Sequence, residues 1–388
     1  MTLYKKTKQI IDESIFNNPD FIRGFHEFKD INVLNEIKNI HFANGEQFDD
    51  VISFYYKSGF IYPGKKHLLF DNKNDIKHTW DKLLTNNNTV KIVFYKDGNE
   101  IIGSAMSAQY TDSTWIFQHI CVLPEYRHTI IPKLVSLANT YAGLHNPAIK
   151  NVMIFYQEHT RWAKKSFEGF YCKINDTSQV DIFPMTYLYC DLNACQISKN
   201  SNIRNSLISE PIKKHKDVKI IFNFMKNRYQ KLFLDAYGLN EKDYHITKAK
   251  KQFSNLGLIR DRQYFIVKDK GEIIGFAFCD ISSKGISFSN FFDHFQIFIF
   301  NNKSYSYAIQ PLLNSIIEFY KFYNRSNLFC LCMDNRIIDL LQSVGFICLK
   351  IYKNCIFNQS NNKFVRFYNY LAENRKWNPP RTGQKHAY

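Results

Sequence analysis

No run of the sequence approaches the ~20 apolar residues that a membrane-spanning helix requires. The opening Met1-Thr2-Leu3-Tyr4-Lys5-Lys6 passes into polar, helix-like sequence with no apolar signal segment. A cytoplasmic protein is the expectation. A metal framework is missing too. Of the nine cysteines, Cys121, Cys279, Cys330 and Cys332 sit inside apolar strand-like runs, where a thiol behaves as a small hydrophobe. Cys330-Leu331-Cys332 is too close for a zinc knuckle, and no second Cys or His pair stands at metal-site spacing. No metal and no disulfide framework is expected. Acidic residues are scarce: 35 Asp and Glu face 51 Lys and Arg, a net charge of +16. That excess suits an acidic partner such as nucleic acid, an anionic surface or a phosphorylated ligand. It is suggested by net charge alone. The basic residues are dispersed, with modest clusters at Lys213-Lys214-His215-Lys216 and Lys248-Ala249-Lys250-Lys251, and a dispersed excess also reads as a solvated surface.

What is present is a phrase said twice. Lys96-Asp97-Gly98-Asn99-Glu100-Ile101-Ile102-Gly103 returns as Lys268-Asp269-Lys270-Gly271-Glu272-Ile273-Ile274-Gly275, offset by 172 positions. Each copy is followed by a Gly-Phe pair at the end of a helical stretch, Gly169-Phe170 and Gly345-Phe346. Solenoid repeats are much shorter, so this period means two copies of one domain. A chain of 388 residues is also too long for one ordinary core.

The segment up to about residue 87 reads as helices and loops, with Ile10, Ile11 and Ile15 on one helical face and residues 21–28 continuing in that mode. Strands follow at 90–95 and 100–109, flanking the hairpin signal Asp97-Gly98, and at 114–123. A helix is predicted at 132–141 with Leu134, Leu137, Ala138 and Tyr141 on one face. A buried strand is predicted at 151–156, and a helix at 160–168 that stops at Gly169. Strands are expected at 171–174 and 185–192. A polar stretch with Pro211, residues 194–217, reads as linker. The second half repeats the order: helices to about 258, strands at 264–268, 272–280 and 295–300, a helix at 309–322, a strand at 328–333 and a helix at 335–343. The expected domains are 1–193 and 218–376, with a disordered tail at 377–388.

This order resembles the GCN5-related N-acetyltransferase (GNAT) fold in tandem. The resemblance rests on the hairpin at 96–105, on Ile120-Cys121-Val122-Leu123-Pro124-Glu125-Tyr126-Arg127, and on the closing helix with Gly169-Phe170. It implies an α/β (α+β) fold of two GNAT-like domains, each a mixed, mostly antiparallel sheet flanked by helices. In that family the strand leads into a loop and helix N-terminus whose N–H groups grip the pyrophosphate of acyl-CoA. Arg127 matches the first member of the family's Arg/Gln-x-x-Gly-x-Gly/Ala signature, while Ile130 and Pro132 replace the glycines. Ile130 adds a branched side chain and Pro132 removes a donor. The resemblance places Cys121, Val122, Arg127, His128, Thr129, Ile130, Ile131 and Lys133 on acyl-CoA or acetyl-CoA. It also makes strand 151–156 splay from its neighbour, with Met153 and Phe155 as further walls. In the second half Tyr305 stands where Arg127 stands, and no glycines follow.

The family's usual Tyr proton donor, four residues before the Gly of Gly-Phe, is Lys165 here and Leu341 in the second copy. His119, Glu125, and Tyr156 or Tyr171 are the candidate substitutes as base or acid. Each also has a structural reading: a satisfied strand histidine, part of a turn, or packing beside Phe170. Two functions remain open. One is an acyl-CoA-dependent N-acyltransferase using a small-molecule or peptide amine, with its site in the first half and the second half completing the cleft. The other is a catalytically silent tandem protein that binds a phosphorylated ligand, nucleic acid or protein.

Overall fold

The computed structural model describes residues 39–43, 45–61, 72–85, 89–129, 131–144, 148–193, 207–359 and 367. The expectations for Ile10, Ile11, Ile15, residues 21–28 and the tail 377–388 lie outside them. The chain forms two compact units, one of residues 1–108, 117–149 and 359–388, the other of residues 109–116 and 150–358.

The first unit begins with strand β1 (Ile40–Phe42) and helices α1 (Phe48–Lys57) and α2 (Lys73–Leu83). Strands β2 (Val90–Asp97), β3 (Glu100–Gln109) and β4 (Thr114–Val122) follow. A 3₁₀ turn (Pro124–Tyr126) then leads into helix α3 (Ile131–Leu144). The strand order is β1-β2-β3-β4. Helix α1 buries Phe48, Val51, Phe54 and Tyr55, the spacing of one helical face. Asn139 on α3 is 1% exposed and donates to the carbonyls of Lys91 and Ala105 at 2.9 and 3.2 Å, which pins α3 to the sheet.

The second unit contains β5 (Asn151–Gln157) and a helical run made of α4 (Arg161–Ala163), a π-helical turn (Lys164–Glu168) and α5 (Gly169–Ile174). It continues with β6 (Val180–Asp191), β7 (Leu207–Pro211), and helices α6 (His215–Arg228), α7 (Lys231–Tyr237) and α8 (Thr247–Asn255). Next come β8 (Arg260–Asp269), β9 (Glu272–Ser282), β10 (Phe295–Ile299), α9 (Tyr305–Phe322), β11 (Asn327–Cys332), α10 (Asn335–Ser343) and β12 (Ile347–Asn358). The strand order is β5-β12-β6-β11-β10-β9-β8-β7. All pairs but β10·β11 are antiparallel. The last strand of each sequence repeat is therefore held by the other repeat: β12 lies between β5 and β6, and β6 lies between β12 and β11. Helix α9 packs on one face through Ala308, Leu312, Leu313 and Ile316.

The repeated phrase builds the same hairpin twice. Asp97 pairs with Glu100 and Asp269 with Glu272, and both ladders shift register at matching positions, Tyr95/Lys96 and Val267/Lys268. Lys270 and Gly271 both take positive φ (50° and 85°), whereas the first copy does so at Gly98 (58°). The final glycine of each phrase exists for space. A Cβ on Gly103 would stand 2.9 Å from Ile131 Cγ2, and one on Gly275 would stand 2.8 Å from Ile299 Cδ1 and 2.9 Å from the Phe298 carbonyl.

Three sequence expectations need correction. The helix predicted to stop at Gly169 runs through it: Gly169 is helical at φ −61°, and the chain turns at Asn175, φ 47°. Residues 171–174, expected as a strand, are the rest of that helix because Phe170 buries itself against Phe357, with ring centroids 6.0 Å apart. The stretch 194–217 holds a strand, β7, paired along Leu207–Pro211 with β8, and the start of α6. Its residues 194–206 lie outside the described ones.

Candidate functional site

The turn after β4 is where the sequence places an anion-binding loop. Pro124 starts a 3₁₀ turn, and the N–H groups of Tyr126, Arg127 and Thr129 donate to the carbonyls of Leu123, Pro124 and Tyr126 at 3.0, 3.3 and 3.0 Å. Thr129 Oγ1 donates to the Tyr126 carbonyl at 2.7 Å and accepts from the Ile131 N–H at 3.2 Å. Pro132 has no N–H, so the remaining first-turn donor of α3 is that of Lys133. Ile130 lies outside the described residues. Glu125, Arg127 and His128 are exposed. Arg127 Nη2 donates to the Ser58 carbonyl at 2.8 Å, at the C-terminal end of α1, where a cation is favoured. The loop therefore offers charged side chains to solvent and turns most of its amides inward.

Upstream, His119 sits in β4 with φ 56°, a left-handed conformation uncommon within a strand. Its ring is 3% exposed and stacks on Trp80 (5.9 Å, 12°), with Tyr55 and Phe60 edge-on at 5.6 and 5.0 Å. Tyr55, on α1, shares a 3.2 Å hydrogen bond with Ser104. Burial pushes its phenol well up, the nearby Cys121 thiol adds to that, and Ser104 opposes it. Cys121 is half-buried and its Sγ approaches the His119 carbonyl at 3.7 Å, while Val122 is 6% exposed and touches the space at Gly103. The structure thus groups His119, Cys121 and Tyr55 behind an aromatic wall. Tyr55 was not among the candidates. It lies on the apolar face of α1, where a tyrosine reads as core.

The other candidates belong to the second unit. Tyr171 is half-exposed on α5. The Tyr156 hydroxyl donates to Glu168 at 3.4 Å, and burial first, then Cys355 and Glu168, pushes its pKa up. Glu168 is held by Lys353 at 2.8 Å. Phe155 stacks on Phe291 at 4.1 Å, and Met153 is fully buried opposite Ile356. Lys165 is exposed in the π-helical turn.

The second copy shows what became of the equivalent loop. Parallel strands β10 and β11 share the register pair Phe295↔Cys330, and the cleft beyond it is lined by Arg228, Tyr229, Phe298, Ile299, Tyr305 and Asp334. Its volume is about 20 Å³, room for about one water. Arg228 Nη1 donates to the Ile299 carbonyl at 3.2 Å, and Tyr229 sets its ring edge-on to Phe298 at 5.5 Å. At the loop, Tyr305 hydrogen-bonds Asp334 and accepts from Arg336 Nη2 at 2.8 Å. The Arg336 guanidinium covers the Tyr305 ring at 4.0 Å. Burial, then Asp334, pushes the Tyr305 phenol up to about 12. These side chains line a cleft too small for more than a water.

Among the described residues no group of three or more His, Cys, Asp and Glu is placed to hold a metal, and no helix is long and apolar enough to cross a membrane. No protein-family model and no curated protein matches the chain. Among solved structures, it is similar to a tandem GNAT protein from the clavulanic acid biosynthesis pathway, at 11% identity and a TM-score of 0.42, with 82% of this chain and 98% of that one covered. It is also similar to a GCN5-related N-acetyltransferase from Sphaerobacter thermophilus, at 9% identity and a TM-score of 0.43, covering 82% and 96%. Both repeats of the present chain run in one element order: hairpin, strand, helix, strand, helix, strand.

Proposed function

We propose that the chain is an acyl-CoA-dependent N-acyltransferase that uses one of its two copies, the first. The observation that carries this reading is the contrast between the loops. Arg127 and His128 are exposed beside the N-terminus of α3, while the second copy's cleft, lined by Arg228, Tyr229 and Tyr305, keeps only about 20 Å³. An acyl-CoA pyrophosphate fits the first loop through side chains more than amides: Arg127, His128 and the Lys133 N–H would hold it. The bound co-substrate supplies an activated acyl thioester. Of the chain's own groups, the Tyr55 phenol is assigned to protonate a departing thiolate. His119 is assigned to take the proton of the attacking amine, with Glu125 as the exposed alternative. Cys121 and Val122 flank the strand that would guide the acyl arm.

One observation favours a second reading, a catalytically silent tandem protein that binds nucleic acid or a protein partner. The N–H groups of Arg127, Thr129 and Ile131 are bonded inside the turn and are not available to cradle a phosphate. Thiol release from acetyl-CoA in the presence of a panel of amines decides between the two. The acyltransferase reading expects turnover that His119→Ala removes while acetyl-CoA binding survives. Binding with no thiol release from any amine, or no binding at all, would favour the silent protein and refute the acyltransferase.

A further inference from the structure

Positive charge is not spread evenly over the chain. Residues 213–255 contain eleven Lys and Arg and four Asp and Glu, so about a tenth of the chain carries +7 of the +16 net charge. These residues are helices α6, α7 and α8 with their connections. Three of the four acids are engaged or half-buried: Asp217 is 8% exposed and bound to Lys268 at 3.0 Å, Asp243 accepts from Asn240 at 3.1 Å, and Asp235 is half-buried. Of the cations, Lys250 pairs with Asp261 at 2.9 Å and Arg228 donates to Ile299. Lys213, Lys214, Lys216, Lys219, Lys226 and Lys251 are exposed, and among the described residues none of them has an ion-pair partner.

The lysines share one surface. Helix α6 buries Val218, Ile221, Phe222 and Met225, which turns Lys216, Lys219, Asn223 and Lys226 to solvent as a stripe about 15 Å long. Phe222 packs against Tyr244 at 5.7 Å, so the turn before α8, with Lys242, His245 and Lys248, adjoins that helix. Tyr244 and His245 lie ring to ring at 3.8 Å, with His245 exposed. A small phosphorylated ligand needs a few convergent cations in a concavity, not a convex stripe. A membrane-docking face would carry apolar anchors among its lysines, yet Ile220, 39% exposed, is the single large exposed hydrophobic in these helices. Spaced ammonium groups with an aromatic pair beside them fit a phosphate backbone with accessible bases.

We infer that the α6–α8 face is a docking surface for nucleic acid, bound through its sugar-phosphate backbone. The site is separate from the proposed acyl-CoA loop and does not depend on it. The test is fluorescence anisotropy of the full chain with a labelled 20-nucleotide RNA and a 20-base-pair DNA duplex over 50–200 mM KCl. The triple variant Lys216→Glu/Lys219→Glu/Lys226→Glu should weaken binding at least tenfold and lower the salt slope by about two to three, since each phosphate-contacting Lys accounts for about one. Arg161→Glu/Lys164→Glu/Lys165→Glu changes the same charge on another exposed helix of the same unit and should leave the slope nearly unchanged. Equal weakening by both variants would overturn the assignment, because net charge alone would then explain it. So would an absence of binding at 50 mM KCl, or binding confined to phosphatidylserine vesicles. Thermal melts of both variants establish that each is folded.

Discussion

Val90 faces Ala108 in the first hairpin, and 172 residues on Arg262 faces Asp280 in the second. One register position holds an apolar pair in one copy and an ion pair, both side chains 0% exposed, in the other. The buried charge has a task that the first copy lacks. Asp280 accepts from Arg260, from Arg262 and from the Tyr110 hydroxyl, at 3.0, 2.7 and 2.6 Å. Arg260 in turn donates to the Tyr110 carbonyl at 2.8 Å, and Asp112 accepts from the Ala249 N–H at 2.9 Å. These contacts hold residues 109–116, which belong to the first repeat by sequence, within the second unit. The loops differ in the opposite sense: Arg127 is exposed with its guanidinium on the Ser58 carbonyl, and Tyr305 is buried and tied to Asp334 and Arg336. Two copies that share a turn have diverged into a candidate binding loop and a scaffold.

Breaking the scaffold should have the largest effect. Asp280→Ala leaves Arg260 and Arg262 buried without a counter-ion and should cost about 3–5 kcal/mol in urea unfolding. Arg262→Val/Asp280→Ala, which restores the first copy's pairing, should cost less than Asp280→Ala alone. If it costs more, the ion pair is not the reason for the penalty. The next effect is on pH. Burial, offset in part by Asp280, holds the fully buried His294 down at about 4, while an unfolded imidazole titrates near 6.5. The unfolded chain therefore takes up the proton first. This contribution is complete above pH ~6.5 and falls away as the pH drops toward about 4, by up to about 3 kcal/mol. His294→Gln should flatten stability over that window, and an unchanged slope would remove His294 from the account.

Smaller differences sharpen the comparison. Gly275→Ala sets a Cβ 2.9 Å from the Phe298 carbonyl, which is backbone and cannot yield cheaply. It should destabilise by about 2 kcal/mol. Gly103→Ala meets the end of the Ile131 side chain and should cost less in a melt. Arg127→Ala should weaken acetyl-CoA binding about tenfold, which is about 1.4 kcal/mol, with little change in melting temperature.

The hairpins were legible because a two-residue turn between alternating strands is encoded locally, and the repeated phrase wrote it twice. Residues 171–174 were not. Tyr171-Cys172-Lys173-Ile174 alternates like a strand, yet Phe170 finds Phe357, far along the chain, and the helix continues to Asn175. The exchange of β6 and β12 was invisible for the same reason: Asn354 pairs with Phe155 and Phe183, and no local pattern records such distant partners. At the candidate site, Arg127, His128 and His119 could be named from the Pro124-Glu125-Tyr126-Arg127 turn and its strand. Tyr55 could not, since its helical spacing is that of core, and the inward bonding of Thr129 has no sequence signature beyond a hydroxyl.

Calorimetric titration of the full chain with acetyl-CoA, beside Arg127→Ala and Tyr305→Phe, tests the asymmetry of the two copies most directly. The account predicts one molecule bound per chain, about tenfold weaker with Arg127→Ala and unchanged with Tyr305→Phe. Two molecules per chain, or a loss with Tyr305→Phe and none with Arg127→Ala, would contradict it.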